Sequence, residues 1–91
     1  MPMSKIIITR PDKQELESLN IKSWDPWECK PSIFDWKYDS EEWCYFFEGR
    51  VKVKTGEEEV EIQKGDLVKF PKGLICSWNV IEKIKKVYIF K

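Results

Sequence analysis

The sequence predicts an all-β protein, an antiparallel sandwich or small barrel with one short helix near its start. From Ile33 onward, apolar and polar residues alternate with a period of two, as they do in half-buried strands. Turn signals recur at intervals of about 8–12 residues, at Thr55-Gly56, Lys64-Gly65-Asp66 and Pro71-Lys72-Gly73. A chain of 91 residues with 42% hydrophobic side chains holds enough apolar material for one small core.

The first third of the chain predicts a strand, a short helix and an irregular edge. Residues 4–9 include the β-branched run Ile6-Ile7-Ile8, which favours a strand. Pro11 can begin a helix, and residues 12–19 carry two leucines at helical spacing. Residues 22–30 are aromatic but contain a proline, which excludes a central strand. This stretch is therefore expected to be an edge strand or an ordered loop.

Together with that first strand, the rest of the sequence predicts about eight strands, most of them short. In residues 33–39, three aromatic residues alternate with three charged ones. Residues 42–48 are apolar on both faces, which predicts a strand that is buried on both sides and ends at Gly49. Further strands are expected at residues 50–54, 57–63, 67–70, 74–81 and 84–90.

Composition bounds the domain count, the compartment and the partners. The chain is predicted to form one domain over residues 1–91, with a strand and helical turn in residues 1–20 and a barrel in residues 21–90. Sixteen basic residues balance sixteen acidic ones, so no nucleic-acid partner is expected, and the lysine-rich run at residues 83–86 is expected on the solvated side of the last strand. No apolar run approaches about 20 residues, and the N-terminus lacks signal-peptide features. We therefore expect a cytoplasmic protein with no membrane partner.

Histidine is absent from the sequence, and three cysteines are present. The absence of histidine excludes hydrolysis by a histidine base and water activation on histidine-bound zinc within one chain. Three cysteines cannot all pair within one chain, so Cys29, Cys44 and Cys76 are expected to be free thiols in a reducing compartment.

The spacing of residues 42–73 is the most specific feature of the sequence. Glu42, Gly49, Gly65, Pro71 and Gly73 stand at positions of the two cupin motifs. With these residues, the chain resembles a subgroup of small, single-domain, RmlC-like cupins that includes the ureidoglycine aminohydrolase cupin domain and the ethanolamine-utilisation cupin (DUF861, or Cupin_3). The other segments that carry the resemblance are residues 24–28, 34–39, 47–49 and 70–73, and Trp78. The resemblance covers about residues 20–90. It implies a cupin-type antiparallel β-barrel or double-stranded jelly roll with one short N-terminal helical turn.

The resemblance also implies where a cupin metal would be held, and the sequence departs from it there. Cupin metal ligands are normally two histidines, a glutamate and a third histidine. Trp36 and Tyr38 stand at the paired histidine positions, Cys76 stands at the third, and Glu42 alone is kept. We therefore expect no cofactor and no histidine-ligated metal; a transition metal held by Glu42, Cys44 and Cys76 is the less favoured alternative.

Strand alternation places one set of side chains in the interior, and this set is the candidate ligand pocket. Its members are Trp36, Tyr38, Glu42, Cys44, Phe46, Cys76 and Trp78. The aromatic members could fill the interior as core, or they could line a pocket for a small molecule. A buried Glu42 needs a partner, for which a lysine or Tyr38 is available. A reactive thiolate at Cys76 would need a basic neighbour, and Lys37, Lys69 and Lys72 lie nearest in sequence.

Two functions follow from this pocket. The favoured hypothesis is a cupin-domain protein of unknown specific activity that binds a small molecule among the aromatic side chains, without the usual metal. The alternative is an enzyme that acts on a ureido or amino compound or on a carbohydrate, as the resemblance implies. In that case Glu42 would act as acid and base, Tyr38 as proton donor and Cys76 as an auxiliary thiol.

Aromatic residues outside this pocket predict a homodimer. Trp24, Trp27, Trp43, Tyr45 and Phe47 offer more aromatic surface than one small barrel needs. Burial of such surface between two copies would also stabilise a chain this small.

Overall fold

The computed structural model describes residues 5–91, which form one α-helix, one 3₁₀ turn and seven strands. The helix α1 spans Lys13–Leu19 and the 3₁₀ turn spans Ile21–Ser23. The strands are β1 (Ile7–Thr9), β2 (Asp25–Cys29), β3 (Ser32–Lys37), β4 (Glu42–Lys54), β5 (Glu59–Gln63), β6 (Leu67–Phe70) and β7 (Ile75–Phe90). The strand predicted at residues 4–9 is confirmed over Ile7–Thr9, and Ser4 lies outside the described residues.

Local sequence determines where α1 begins and ends. The carboxylate of Asp12 accepts a hydrogen bond of 2.8 Å from the backbone N–H of Glu15 and so caps the first turn. Asn20 ends the helix with a left-handed backbone, at φ 56°. The helix predicted at residues 12–19 is confirmed, although Pro11 precedes the cap instead of beginning the helix.

Within the described residues, no helix has the length and apolar character that a membrane crossing requires.

Two long strands, β4 and β7, replace four predicted short ones. The predicted breaks at Gly49 and between residues 81 and 84 are wrong, because both strands continue through these positions. Gly49 bends β4 instead of ending it, and the register with β7 shifts three times between Phe46 and Val51. Gly49 has φ +94°, and a Cβ added there would overlap the Lys83 carbonyl oxygen. Only glycine therefore lets the two strands approach at this bend.

The bend divides the fold into two half-sheets that face each other. In the first half-sheet, the order β1-β6-β4-β7-β2 uses the start of β4 and the end of β7. In the second half-sheet, β5 pairs with residues 50–54 of β4, and β3 pairs with residues 75–80 of β7. This arrangement confirms the predicted double-stranded jelly roll. The barrel is open, since no ladder within residues 5–91 joins the edge strands of one half-sheet to those of the other.

The edge position of β2 explains how this strand accommodates a proline. Of the described strands, β2 pairs with β7 alone, so the missing N–H of Pro26 leaves no central ladder broken. Of the two structures predicted for residues 22–30, the edge strand is therefore confirmed over Asp25–Cys29.

The apolar side chains form two clusters. The main cluster lies between the half-sheets, and Val51, Val53 and Ile62 in it are completely buried. The outer cluster joins α1 to the first half-sheet through Ile21, Trp24 and Leu67. Further members pack against it from the helix and from β4 and β7: Leu16, Leu19, Trp43, Tyr45, Val87 and Ile89. Three of the aromatic residues from which the sequence predicts a dimer interface, Trp24, Trp43 and Tyr45, thus pack within the single chain.

Candidate functional site

A cavity of about 230 Å³ opens between the two half-sheets. Seven of its nine lining side chains are aromatic and two are charged. Trp36 and Phe90 are 50% and 58% exposed, so they form the rim, whereas Tyr38 and Trp78 are buried. The complete set is Trp27, Phe34, Trp36, Tyr38, Glu42, Trp78, Lys86, Tyr88 and Phe90.

Aromatic contacts across the two half-sheets hold the walls of the cavity. Trp78 on β7 stacks on Phe34 of the neighbouring β3, with ring centroids 5.8 Å apart. The edge of Trp78 also meets Trp27 on β2 at 6.2 Å and an interplanar angle of 79°. Tyr38 stacks on Phe70 at 4.7 Å. Such pairs fix the orientation of each ring in addition to burying its area, so the walls are preformed.

A buried ion pair forms the charged part of the cavity. The Lys86 Nζ lies 3.1 Å from Glu42 Oε2, and the two side chains are only 6% and 7% exposed. Lys86 also donates a hydrogen bond to the Cys44 Sγ at 3.3 Å, and the Cys44 thiol donates to Glu42 Oε2 at 2.9 Å. Lysine, glutamate and cysteine therefore form a closed triangle at the cavity wall.

The prediction that the lysines of residues 83–86 all face solvent is wrong for Lys86. In β7 the side chains of Ile84 and Lys86 are two residues apart and share the buried face, whereas Lys83 and Lys85 point outward. The outward lysines form surface pairs, Lys83 with Glu28 and Lys85 with Glu48. Strand alternation counted from Ile84 would have placed Lys86 inside.

Aromatic rings surround the Lys86 ammonium as well. Its Nζ lies 4.8 Å from the ring centroids of Trp27 and of Trp78. The centroids of Phe46 and Tyr88 lie 5.7 and 5.8 Å away. We refer to these four rings as the aromatic cage of Lys86. Ring faces attract a cation, more strongly where water is excluded, so the cage and Glu42 together hold the charge in place.

A family model described as the EutQ-like cupin domain matches residues 16–88 of the chain. The chain belongs to the EutQ-like cupin family. This family membership confirms the resemblance that the motif spacing indicates. No curated protein matches the sequence significantly.

Solved structures extend this comparison. A DUF861 family protein from Thermotoga maritima is 43% identical, with a TM-score of 0.94, over 96% of this chain and 100% of that protein. The EutQ protein of Clostridium difficile is 25% identical, with a TM-score of 0.64, over 69% of this chain and 50% of its own. A DUF861 family protein from Pseudomonas syringae is 23% identical, with a TM-score of 0.64, over 69% of this chain and 28% of its own, and it shows the fold alone.

The donor set of this EutQ-like cupin does not fit the metal that cupins commonly hold. Among residues 5–91, no three cysteine, aspartate or glutamate side chains lie close enough together to share an ion. Glu42, the one ligand kept from the cupin motif, already faces the ammonium of Lys86. Transition metals need three or four donors in fixed geometry. The positive charge beside Glu42 is therefore the ammonium of Lys86, which belongs to the same chain.

The structure divides the seven predicted pocket residues into two groups. Four of them line the cavity: Trp36, Tyr38, Glu42 and Trp78. The other three, Cys44, Phe46 and Cys76, are buried in the core behind the wall. Their part in binding or catalysis stays a prediction.

Burial disfavours the ionised forms of the Cys44 and Cys76 thiols and of the Tyr38 phenol. Burial raises the pKa of Cys44 far above its ordinary range, and Glu42 acts in the same direction while Lys86 opposes it. Burial likewise raises the pKa of Tyr38 and of Cys76. The Cys76 Sγ lies 3.7 Å from the carbonyl oxygen of Trp36, to which it donates. The described lysine that contacts a buried thiol is Lys86, and the thiol that it contacts is Cys44, not Cys76.

Five cavity residues fall outside the predicted pocket: Trp27, Phe34, Lys86, Tyr88 and Phe90. Alternation along β7, counted from the buried Ile84, would have placed Lys86, Tyr88 and Phe90 on the interior face. No signal in the sequence indicates Trp27, because its place depends on the pairing of β2 with β7, where it lies opposite Lys86.

Proposed function

We propose that this EutQ-like cupin binds a small molecule in the aromatic cavity, without a histidine-ligated metal. The observation that carries the proposal is that the interior is not filled by core side chains. A cavity of about 230 Å³ remains between fixed aromatic walls, and a buried ion pair borders it. Ligand sites commonly combine apolar walls with a few placed polar groups.

The size and the rim of the cavity support a ligand of metabolite size. Pockets for drug-sized molecules measure about 300–1,000 Å³, and this cavity is smaller. Trp36 and Phe90 at the rim are half exposed, so a bound molecule would cover apolar surface that is otherwise in contact with water.

Tryptophan fluorescence tests this proposal, because three of the five tryptophans line the cavity. A screen of small metabolites is expected to include a compound that shifts the emission in a saturable way. Trp36→Ala should weaken that binding with the fold intact, because Trp36 is 50% exposed. Phe47→Ala is the matched control, since Phe47 is 43% exposed and outside the cavity lining. A screen without any saturable shift, or equal loss in both variants, would contradict the proposal.

We also propose that the protein is a homodimer in the cytoplasm. Exposed apolar side chains on the outer faces, such as Ile33 at 76% and Ile75 at 67%, support an interface. Three free thiols fit a reducing compartment. Light scattering at micromolar concentration is expected to give twice the mass of one chain, and the mass of a single chain would exclude the dimer.

A further inference from the structure

The Lys86–Glu42 pair has hydrogen-bonding capacity that the protein does not use. An ammonium carries three donors, and Lys86 gives one to Glu42 and one to Cys44. On the other side, Glu42 Oε2 accepts one hydrogen bond from Lys86 and one from the Cys44 thiol, and Oε1 accepts none from residues 5–91. Both side chains line the cavity. The pair therefore offers one donor and one acceptor side by side to a molecule in the cavity.

The cage itself argues against a cationic ligand. Aromatic cages with a carboxylate are the usual receptors for organic ammonium ions. Here the cage already contains an ammonium, which Lys86 supplies from the same chain. A free cation would have to displace a tethered one, whose local concentration is far higher.

The charge of the pair also argues against an anionic ligand. Lys86 and Glu42 sum to zero, so no net positive charge is left to compensate an anion that loses its hydration in an apolar cavity. An anion bound to Lys86 would also lie next to the Glu42 carboxylate and be repelled by it. The chemistry of the cavity thus favours a neutral molecule.

We propose that Lys86 and Glu42 recognise a neutral, planar ligand with a carbonyl and an N–H next to each other on one edge, as in a cyclic amide. The carbonyl oxygen accepts from Lys86, the N–H donates to Glu42 Oε1, and the flat ring lies against the aromatic walls. This inference rests on the proposed function, because it names the class of ligand that the same cavity takes.

Four small probes test the inference on the wild-type protein by tryptophan fluorescence and by amide shifts of the lining residues. The probes are 2-pyridone, N-methyl-2-pyridone, benzylammonium and benzoate. We expect 2-pyridone to bind about tenfold more tightly than its N-methyl form, which lacks the donor for Glu42. Benzylammonium and benzoate should not bind. Equal binding of both pyridones, or absence of 2-pyridone binding at millimolar concentration, would overturn the inference. If benzylammonium or benzoate binds and the pyridones do not, the inference fails but the proposed function stands. If neither these four probes nor any compound of the metabolite screen binds, the proposed function fails as well.

Variants then locate the contact within the pair. Lys86→Met is expected to lose 2-pyridone binding and to admit benzylammonium, since the tethered ammonium is removed and the Glu42 carboxylate remains. Lys85→Met is the matched control on the opposite face of β7, where the lysine is part of a surface pair, and it should bind like the wild type. If Lys86→Met does not fold, Glu42→Gln takes its place, because the amide keeps the size of the side chain and one acceptor oxygen but replaces the other oxygen with an N–H donor. Its binding of 2-pyridone should fall at least several-fold, and unchanged binding would overturn the inference.

Discussion

The interior between the half-sheets is filled at one end and open at the other, although the same two long strands form both ends. At the filled end, β-branched side chains occupy the interior: Val51, Val53, Ile62 and Val80 are at most 2% exposed. At the open end, aromatic rings and the Lys86–Glu42 pair enclose about 230 Å³. β4 and β7 therefore supply core residues in one part and site residues in another.

Under the proposed function, this difference separates stability from binding within one small cupin. Compact aliphatic side chains fill space to the density of a crystal, and the filled end accordingly stabilises the fold. At the open end, large rings in fixed orientations, such as Trp27 and Trp78 at 79°, form the walls. The open end therefore keeps a preformed cavity, and the four predictions below test how far the two ends are independent.

The largest effect is expected from Gly49→Ala, because Gly49 is the bend that brings the two half-sheets face to face. A Cβ at this position would overlap the Lys83 carbonyl oxygen and lie 2.7 Å from the Ile84 Cα, on a backbone with φ +94°. Both contacts are with backbone, which cannot move aside. We expect a loss of more than about 4 kcal/mol in the free energy of unfolding, measured by chemical denaturation.

Gly56→Ala is the matched control for this bend. Gly56 has no atom within 4 Å of an added Cβ, so the change should alter stability by less than about 0.5 kcal/mol. Similar losses in the two variants would show that the close approach at Gly49 does not hold the two half-sheets together.

The next largest effect is expected from Lys86→Met at the open end. The change removes the ammonium and leaves the Glu42 carboxylate buried without its partner. Loss of one member of a buried pair costs about 3–5 kcal/mol. The double variant Lys86→Met with Glu42→Leu removes both charges and should regain most of that loss. Equal stability of the single and double variants in denaturation experiments would contradict the role of the pair.

Sequence alone predicts most of the helix and strands and part of the site. Contacts within one strand could be predicted, whereas contacts that depend on the bend at Gly49 could not. Alternation within one strand is local, so it correctly brings Glu42 and Trp78 to the interior. Contacts across the bend are not local: Trp27 meets Trp78 only because β4 and β7 fold over at Gly49. The cavity could not be predicted either, because its volume depends on ring orientations that the sequence pattern does not contain.

A smaller effect is expected from Val53→Ala at the filled end. Removal of two buried carbons from a completely buried side chain should cost about 2 kcal/mol. Ligand affinity at the open end should be unchanged when it is measured well below the unfolding midpoint. A loss of affinity of threefold or more would show that the two ends are mechanically coupled.

The smallest effect is expected from pH, and it should come from the open end alone. Burial raises the pKa of Cys44 above its ordinary value of 9.0. Above that pH the unfolded chain releases the thiol proton while the folded chain keeps it, so stability falls as pH rises; below it the thiol has no effect. Between about pH 8 and 10, the wild type should lose about 1 kcal/mol more than Cys44→Ser. Val53→Ala should keep the wild-type slope, because valine does not titrate. If denaturation gives Cys44→Ser the same slope as the wild type, the folded protein does not hold the Cys44 proton more tightly than the unfolded chain.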